Sequence, residues 1–207
     1  LDLLLNDLST AMSKKRFITI FVLWTLIVSA ISAQQSYTDI SGSAKIPVFK
    51  ESFDNNSNEW LLDNSWIQGK VANGHYNLVC RNYQKSTGLS YKTISIDQGR
   101  DYEIETSVNT LKGTGGLVFG MNSKYDHYRI ELTSYNTLVL LKNTPSRGRN
   151  EELFSTSLNS NTKAGSYYKI TLRKLNDNFY IFLNEGLIGV FNRIKPEGDQ
   201  VGFNVGL

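Results

Sequence analysis

Apolar and polar residues alternate along most of the chain in short runs, broken by Gly, Asn, Asp and Ser. A period of two is what a strand with one buried and one wet face requires, because successive side chains point to opposite sides. The pattern predicts a first strand over 47–53. It then predicts strands over 66–71 and 75–81 around Asn73-Gly74, a hairpin signal because both central positions of the tight turn need positive φ. Further strands are predicted over 89–96, 101–108, 116–121, 127–133, 137–142, 153–156, 167–175, 179–184, 187–191 and 201–205. Residues 134–136 and 176–178 supply two more hairpin turns. No stretch after residue 34 carries a helical period of apolar residues, so the expectation is an all-β domain, a two-sheet antiparallel jelly-roll β-sandwich.

The segment before residue 34 follows a different rule. Lys14-Lys15-Arg16 precedes an apolar run over 17–28, and the small residues Ser29-Ala30-Ile31-Ser32-Ala33 lead into polar Gln34. A basic start, a short apolar run and a small-residue exit make a signal peptide, with cleavage expected after Ala33. The run is short of the roughly 20 residues that span a bilayer, so the membrane enters only through this segment before cleavage. No Cys follows the run, which argues against a lipoprotein anchor. Met12 is the natural start of such a signal, and residues 1–11 read as upstream sequence outside the native protein. The organisation expected is therefore a signal over 12–33, a polar linker over 34–46 and the domain over 47–207. The strand at 201–205 stands so near the last residue that a closing strand or a further domain is expected to be cut away. Localisation follows from the signal: secreted or periplasmic.

Composition sharpens this picture in three places. Aromatic residues make up 12% of the chain, with 11 Tyr and 10 Phe, which suits a pleated, half-buried surface. From Gln34 onward 19 Lys and Arg stand against 17 Asp and Glu. A balance so near neutral gives no electrostatic reason to expect nucleic acid. Cys80 is the only cysteine, so no intramolecular disulfide forms, and its place in a predicted strand marks it as a small apolar core residue.

The order of motifs adds a resemblance. Phe49, Phe53-Asp54 and Trp60, then Asn73-Gly74-His75-Tyr76, Asp101-Tyr102-Glu103-Ile104-Glu105, Gly115-Gly116-Leu117-Val118-Phe119-Gly120, Tyr128-Arg129-Ile130-Glu131-Leu132 and a Gly-x-x-x-Gly-Phe-x-Val run from Gly198 to Val205 occur in sequence. This order resembles the concanavalin A-like lectin/glucanase jelly rolls, in particular the bacterial laminin-G-like and 3-keto-disaccharide-hydrolase-like domains, over residues 48–207. The resemblance implies two curved antiparallel sheets whose concave face often binds saccharide. It implies little about activity, since one fold hosts lectins, hydrolases and adhesion modules alike.

Candidate chemistry gathers in a few places. Glu103 and Glu105 alternate on one strand, so their carboxylates stand roughly 7 Å apart on one side, a spacing a glycosidase acid and nucleophile can use. Laminarinase-type relatives of this fold carry a Glu-x-Asp-x-x-Glu strand; here Thr106, Ser107 and Val108 follow Glu105, so the third carboxylate is missing. The pair also reads simply as the wet side of an alternating strand. His127, Arg129 and Glu131 share one strand face, suited to gripping sugar hydroxyls or to cross-strand ion pairing. Trp66, Tyr83 and Tyr125 lie beside polar loops, where flat rings stack on sugar C–H faces. With His75 and His127 the only histidines, no spacing suggests a transition-metal site, and no cofactor is expected. The run over 54–59 is rich in oxygen ligands for Ca²⁺ but lacks a defined loop pattern and reads as a turn. Residues 146–149 form a small basic loop. The leading reading is an exported, non-catalytic binding module for poly- or oligosaccharide. One alternative is a glycoside hydrolase using Glu103 and Glu105; another is a protein-interaction or adhesion domain of a larger secreted protein.

Overall fold

The computed structural model describes residues 46–81, 87–158 and 166–206. The expected signal, the upstream residues, the linker as far as residue 45, and Tyr83 lie outside the described residues. The unit that carries the strands is Val48–Leu207. In chain order it contains β1 (Ile67–Ala72), β2 (His75–Cys80), β3 (Thr87–Thr93), β4 (Tyr102–Val108), β5 (Thr114–Met121), β6 (His127–Thr133), β7 (Thr137–Thr144), β8 (Arg149–Ser157), β9 (Tyr168–Leu175), β10 (Asn178–Leu183), β11 (Gly186–Phe191) and β12 (Gln200–Gly206). The one helical turn among the described residues is a 3-10 turn at Pro145–Arg147.

All pairings are antiparallel. They make a six-stranded sheet in the order β3-β12-β5-β6-β7-β8, a four-stranded sheet in the order β11-β10-β9-β4, and the separate hairpin β1-β2. The hairpin turn is the one its dipeptide predicts, with Asn73 at φ 55° and Gly74 at φ 73°. Asn136 and Asn176 take positive φ at two further turns, where a short polar side chain tolerates the left-handed region better than most.

The two larger sheets face each other across one core. Directly opposed residues in an antiparallel ladder share a face. Phe203, Leu117, Ile130 and Leu140 are opposed in turn across β12, β5, β6 and β7. Ile104, Leu172 and Ile181 are opposed across β4, β9 and β10. Leu117, Ile130, Leu140, Leu172 and Ile181 belong to one buried cluster together with Phe119, Tyr128 and Phe179, and Ile104 packs against it. The β1-β2 hairpin covers the β3 end of the same side. Phe53, Trp60, Tyr76 and Phe203 form a ring cluster with centroids 5.4 to 6.1 Å apart, and the Tyr76 hydroxyl donates to the Leu61 carbonyl and accepts from the Ser90 hydroxyl at 2.7 Å. Cys80 is buried on this hairpin.

Two expectations are corrected. Residues 47–53 form no strand. Glu51 turns the chain there instead: its carboxylate accepts the Phe53 N–H, the Asn58 amide and the Trp60 indole N–H, and Phe53 sits at φ 56°. The strand expected at 153–156 runs from Arg149 to Ser157. Its polar first half has no alternation to read, but β7 supplies a ladder from Thr137↔Ser157 to Thr144↔Arg149. Arg149 therefore belongs to an edge strand and not to a loop.

Candidate functional site

The outer face of the six-stranded sheet, turned away from the core, buries the polar side chains His127, Arg129, Glu131 and Asn204. On β6 the core side holds Tyr128, Ile130 and Leu132, so His127, Arg129 and Glu131 point outward. All three are nonetheless buried, at 3%, 5% and 6% exposure. Their opposed neighbours extend the face. Arg129 stands across from Val118, which stands across from Gly202 and then Tyr91; Glu131 stands across from Gly116, Asn204 and Leu89. On the other side Leu141 and Val139 lead to Glu152 and Ser155 on β8.

Strand spacing at the centre of this sheet is set by glycine. A Cβ on Gly116 would lie 1.9 Å from the Ile130 carbonyl oxygen, and one on Gly202 would lie 2.0 Å from that of Ser90.

A hydrogen-bonded chain crosses the face. Arg129 Nη1 donates to Thr87 Oγ1 at 3.0 Å and meets Glu131 Oε1 at 3.0 Å, and Asn204 Nδ2 donates to Glu131 Oε1 at 2.8 Å. Burial pushes Arg129 down and Glu131 up, and each partner's charge opposes the shift. His127 is pushed down to about 4 by burial, against the hydrogen bond to the Tyr125 carbonyl and with the help of the Arg129 charge. His127 Nδ1 lies 2.6 Å from the Tyr125 carbonyl oxygen. That oxygen only accepts, so Nδ1 carries the proton and Nε2 presents a lone pair.

Three buried polar atoms of this face have no hydrogen-bond partner among the described residues: His127 Nε2, Arg129 Nε and Asn204 Oδ1. Two are acceptors and one is a donor. Buried groups of this kind are ordinarily satisfied, and each exception calls for an explanation.

Tyr125 stands at the rim. It is 51% exposed, and its ring meets Tyr91 edge-on at 6.1 Å. Its backbone is left-handed, at φ 64°. The turn is built to hold it there: Tyr125 N–H donates to the Asn122 carbonyl, and the Asn122 side-chain oxygen accepts from the N–H groups of Lys124 and Asp126.

The sequence-predicted residues separate into three places. His127, Arg129, Glu131 and Tyr125 come together on and beside β6. Trp66 lies just before β1, half-buried, its N–H held by Asn64 Oδ1 at 2.8 Å. Tyr83 lies outside the described residues. Glu103 and Glu105 are on β4, on the outer face of the other sheet, where each meets a cation from β9: Glu103 takes the Arg173 Nε–H, and Glu105 lies 2.9 Å from Lys169 Nζ and 3.3 Å from Thr171 Oγ1. Arg173 also lies over the Phe182 ring at 5.2 Å. The oxygen-rich run over 54–59 is turned on itself. Asn55 accepts from Ser57 N–H, and Asn56 both accepts from and donates to the Trp60 backbone.

Asn204, Tyr91 and Thr87 were not legible as site residues. Each reads as an ordinary strand position, and only the pairing of β12 with β5 and β3 brings them to β6.

Fold and site together define a two-layer antiparallel β-sandwich with a buried polar cluster on the outer face of its larger sheet. Solved structures with a partly shared strand arrangement include the carbohydrate binding module CBM66 from Bacillus subtilis, at 18% identity and TM-score 0.48, covering 59% of this chain and 76% of that one. Sheep galectin-11, in complex with glycerol, aligns at 14% identity and TM-score 0.42, over 57% of this chain and 90% of its own. The catalytic domain of an endo-1,3-β-glucanase (laminarinase) from Thermotoga petrophila aligns at 10% identity and TM-score 0.42, over 79% and 88%. No family model matches the chain, and no curated protein matches it.

Proposed function

We propose that this protein is an exported, non-catalytic binding module of the concanavalin A-like jelly-roll type, taking a poly- or oligosaccharide on the outer face of its six-stranded sheet. One observation carries the reading: His127 Nε2, Arg129 Nε and Asn204 Oδ1 are buried and unpartnered on one face. Leaving such a group unmade costs about 1–3 kcal/mol apiece. Sugar hydroxyls both donate and accept, so a saccharide edge answers two acceptors and a donor with one kind of group. The half-exposed Tyr125 ring beside Tyr91 supplies the flat apolar surface on which a pyranose stacks. The carboxylate pair on β4 supports the non-catalytic part of the reading, because Glu103 and Glu105 are engaged by Arg173 and Lys169.

The test is binding to an array of glycans by the protein and by Tyr125→Ala, a substitution at the half-exposed rim that leaves the buried Arg129–Glu131 pair intact. Retention of a defined glycan class by the protein and its loss in the variant is the expected result. An array without a hit, together with a melting temperature unmoved by any soluble sugar, overturns saccharide binding. Hydrolysis of a glycan that disappears in Glu103→Gln overturns the non-catalytic part alone.

A further inference from the structure

Register across the six-stranded sheet fixes which charges share its outer face. Among the described residues, the rows running through His127, Arg129 and Glu131 carry one cation, Arg129, and two carboxylates, Glu131 and Glu152. His127 is neutral, since burial holds its pKa at about 4. One cation against two carboxylates leaves these rows a net charge of −1. The cation is also answered already. Arg129 Nη1 meets Glu131 Oε1 at 3.0 Å and donates to Thr87 Oγ1 at 3.0 Å. An arriving anion would have to displace Glu131, and would leave that carboxylate buried beside a second negative charge.

The unpartnered atoms of the face select in the same direction. His127 Nε2 and Asn204 Oδ1 accept, and Arg129 Nε donates. A carboxylate or sulfate only accepts, so it answers Arg129 Nε and leaves both acceptors unmade. An ammonium only donates, so it answers the acceptors and leaves Arg129 Nε unmade. A hydroxyl does either. The His127 acceptor cannot turn into a donor by changing tautomer, because Nδ1 gives its proton to the Tyr125 carbonyl at 2.6 Å. Between the walls formed by β6 and β3, the floor of the face is Val118, Gly116 and Gly202. None of these has a polar side chain to replace the water that an ionic group gives up on entry.

We infer that this face takes a neutral saccharide through its ring hydroxyls, held by His127 Nε2, Arg129 Nε and Asn204 Oδ1, and turns away uronate, sulfated and amino sugars. This rests on the saccharide reading above and narrows it to one class of polymer.

The experiment compares retention of the protein by neutral polysaccharides (dextran, a β-1,3-glucan, a mannan and a galactan), by alginate and dextran sulfate, and by chitosan, each at low and high salt. The neutral polymer held best is then hydroxyethylated and carboxymethylated in parallel, so that the added groups match in size and differ in charge. The expected result is retention by a neutral polymer that salt does not weaken and that Tyr125→Ala removes. Carboxymethylation is expected to lower it by about tenfold or more relative to hydroxyethylation. Equal losses in the two derivatives overturn the inference, since charge then does not decide entry. Stronger retention by alginate, dextran sulfate or chitosan than by any neutral polymer overturns it as well and leaves saccharide binding standing. Neutral retention that Tyr125→Ala leaves intact overturns the assignment to this face. Retention by nothing overturns both the inference and the saccharide reading.

Discussion

Asn204 on β12 donates its amide to the same carboxylate oxygen of Glu131 that Arg129 meets, at 2.8 and 3.0 Å respectively. One oxygen thus gathers two donors in a region almost sealed from water. Removing one partner from such a buried pair leaves the other charge uncompensated, at a cost of about 3–5 kcal/mol. Glu131→Ala is expected to destabilise the protein by that order, measured as a shift in denaturant midpoint. The double variant Arg129→Met with Glu131→Leu is expected to cost less than Glu131→Ala alone, because no charge is left buried, and to abolish glycan retention. A double variant that still binds its glycan removes Arg129 and Glu131 from the site.

His127 gives a pH dependence with a defined window. Its ordinary pKa of 6.5 falls to about 4 in the fold, so the unfolded chain takes up a proton that the folded one refuses between those values. Stability is therefore greatest above pH 6.5 and falls as the pH drops towards 4, by about 3 kcal/mol in total from this one group. Denaturant midpoints against pH, compared with those of His127→Gln, read it directly. Identical slopes over that window in the two proteins would falsify a neutral, buried His127.

Glu51 acts on the acid side. Burial raises its carboxyl, but the hydrogen bonds from Phe53, Asn58, Trp60 and Ser52 together outweigh burial and hold it below its ordinary value of 4.5. The stabilisation is present above pH 4.5 and is lost as the pH falls through the depressed value. Glu51→Ala is expected to cost about 2–3 kcal/mol, since it frees the Trp60 indole N–H and two further donors. The readouts are thermal unfolding and the Trp emission maximum. A melting temperature within a degree or so of the parent's would show that Glu51 does not fix the 51–60 turn.

Two glycines separate crowding from backbone conformation. Gly148 has φ 61° with nothing within 4 Å of an added Cβ, so Gly148→Ala meets only the left-handed penalty, about 1 kcal/mol. Gly202 has no positive φ, but its Cβ would lie 2.0 Å from the backbone oxygen of Ser90. Gly202→Ala must push β3 from β12 and is expected to cost several times as much. Equal melting temperatures for the two variants would contradict the close strand approach.

Much of the fold was legible because alternation and turn chemistry are local. The hairpin at Asn73-Gly74 and the strands over 102–108 and 127–133 follow from side-chain period and φ preference alone. The 47–53 segment misled because Val48, Phe49 and Phe53 look like a strand while the Glu51 carboxylate, a non-local tie to Asn58 and Trp60, decides the backbone. β8 was read short because an edge strand with exposed Arg149, Asn150, Glu151 and Glu152 has no buried side to betray it. Of the polar face, the β6 half was legible, since His127, Arg129 and Glu131 alternate with core residues. Asn204 was not, because its role depends on strand order, which period cannot encode.

Strand order also sets when the polar face comes into existence. β12 lies between β3 and β5, strands that precede it by roughly 80 to 110 residues, so the larger sheet closes only through contacts between distant parts of the chain. Such contacts form late, after most loop entropy has been lost. Asn204 arrives with β12, and until it does Glu131 lacks one of its two donors and the acceptor Oδ1 is missing from the face. With β5 to β8 paired and β12 absent, the face would hold Arg129 and Glu131 without Asn204. The proposed site is thus complete only once β12, the last described strand, has docked.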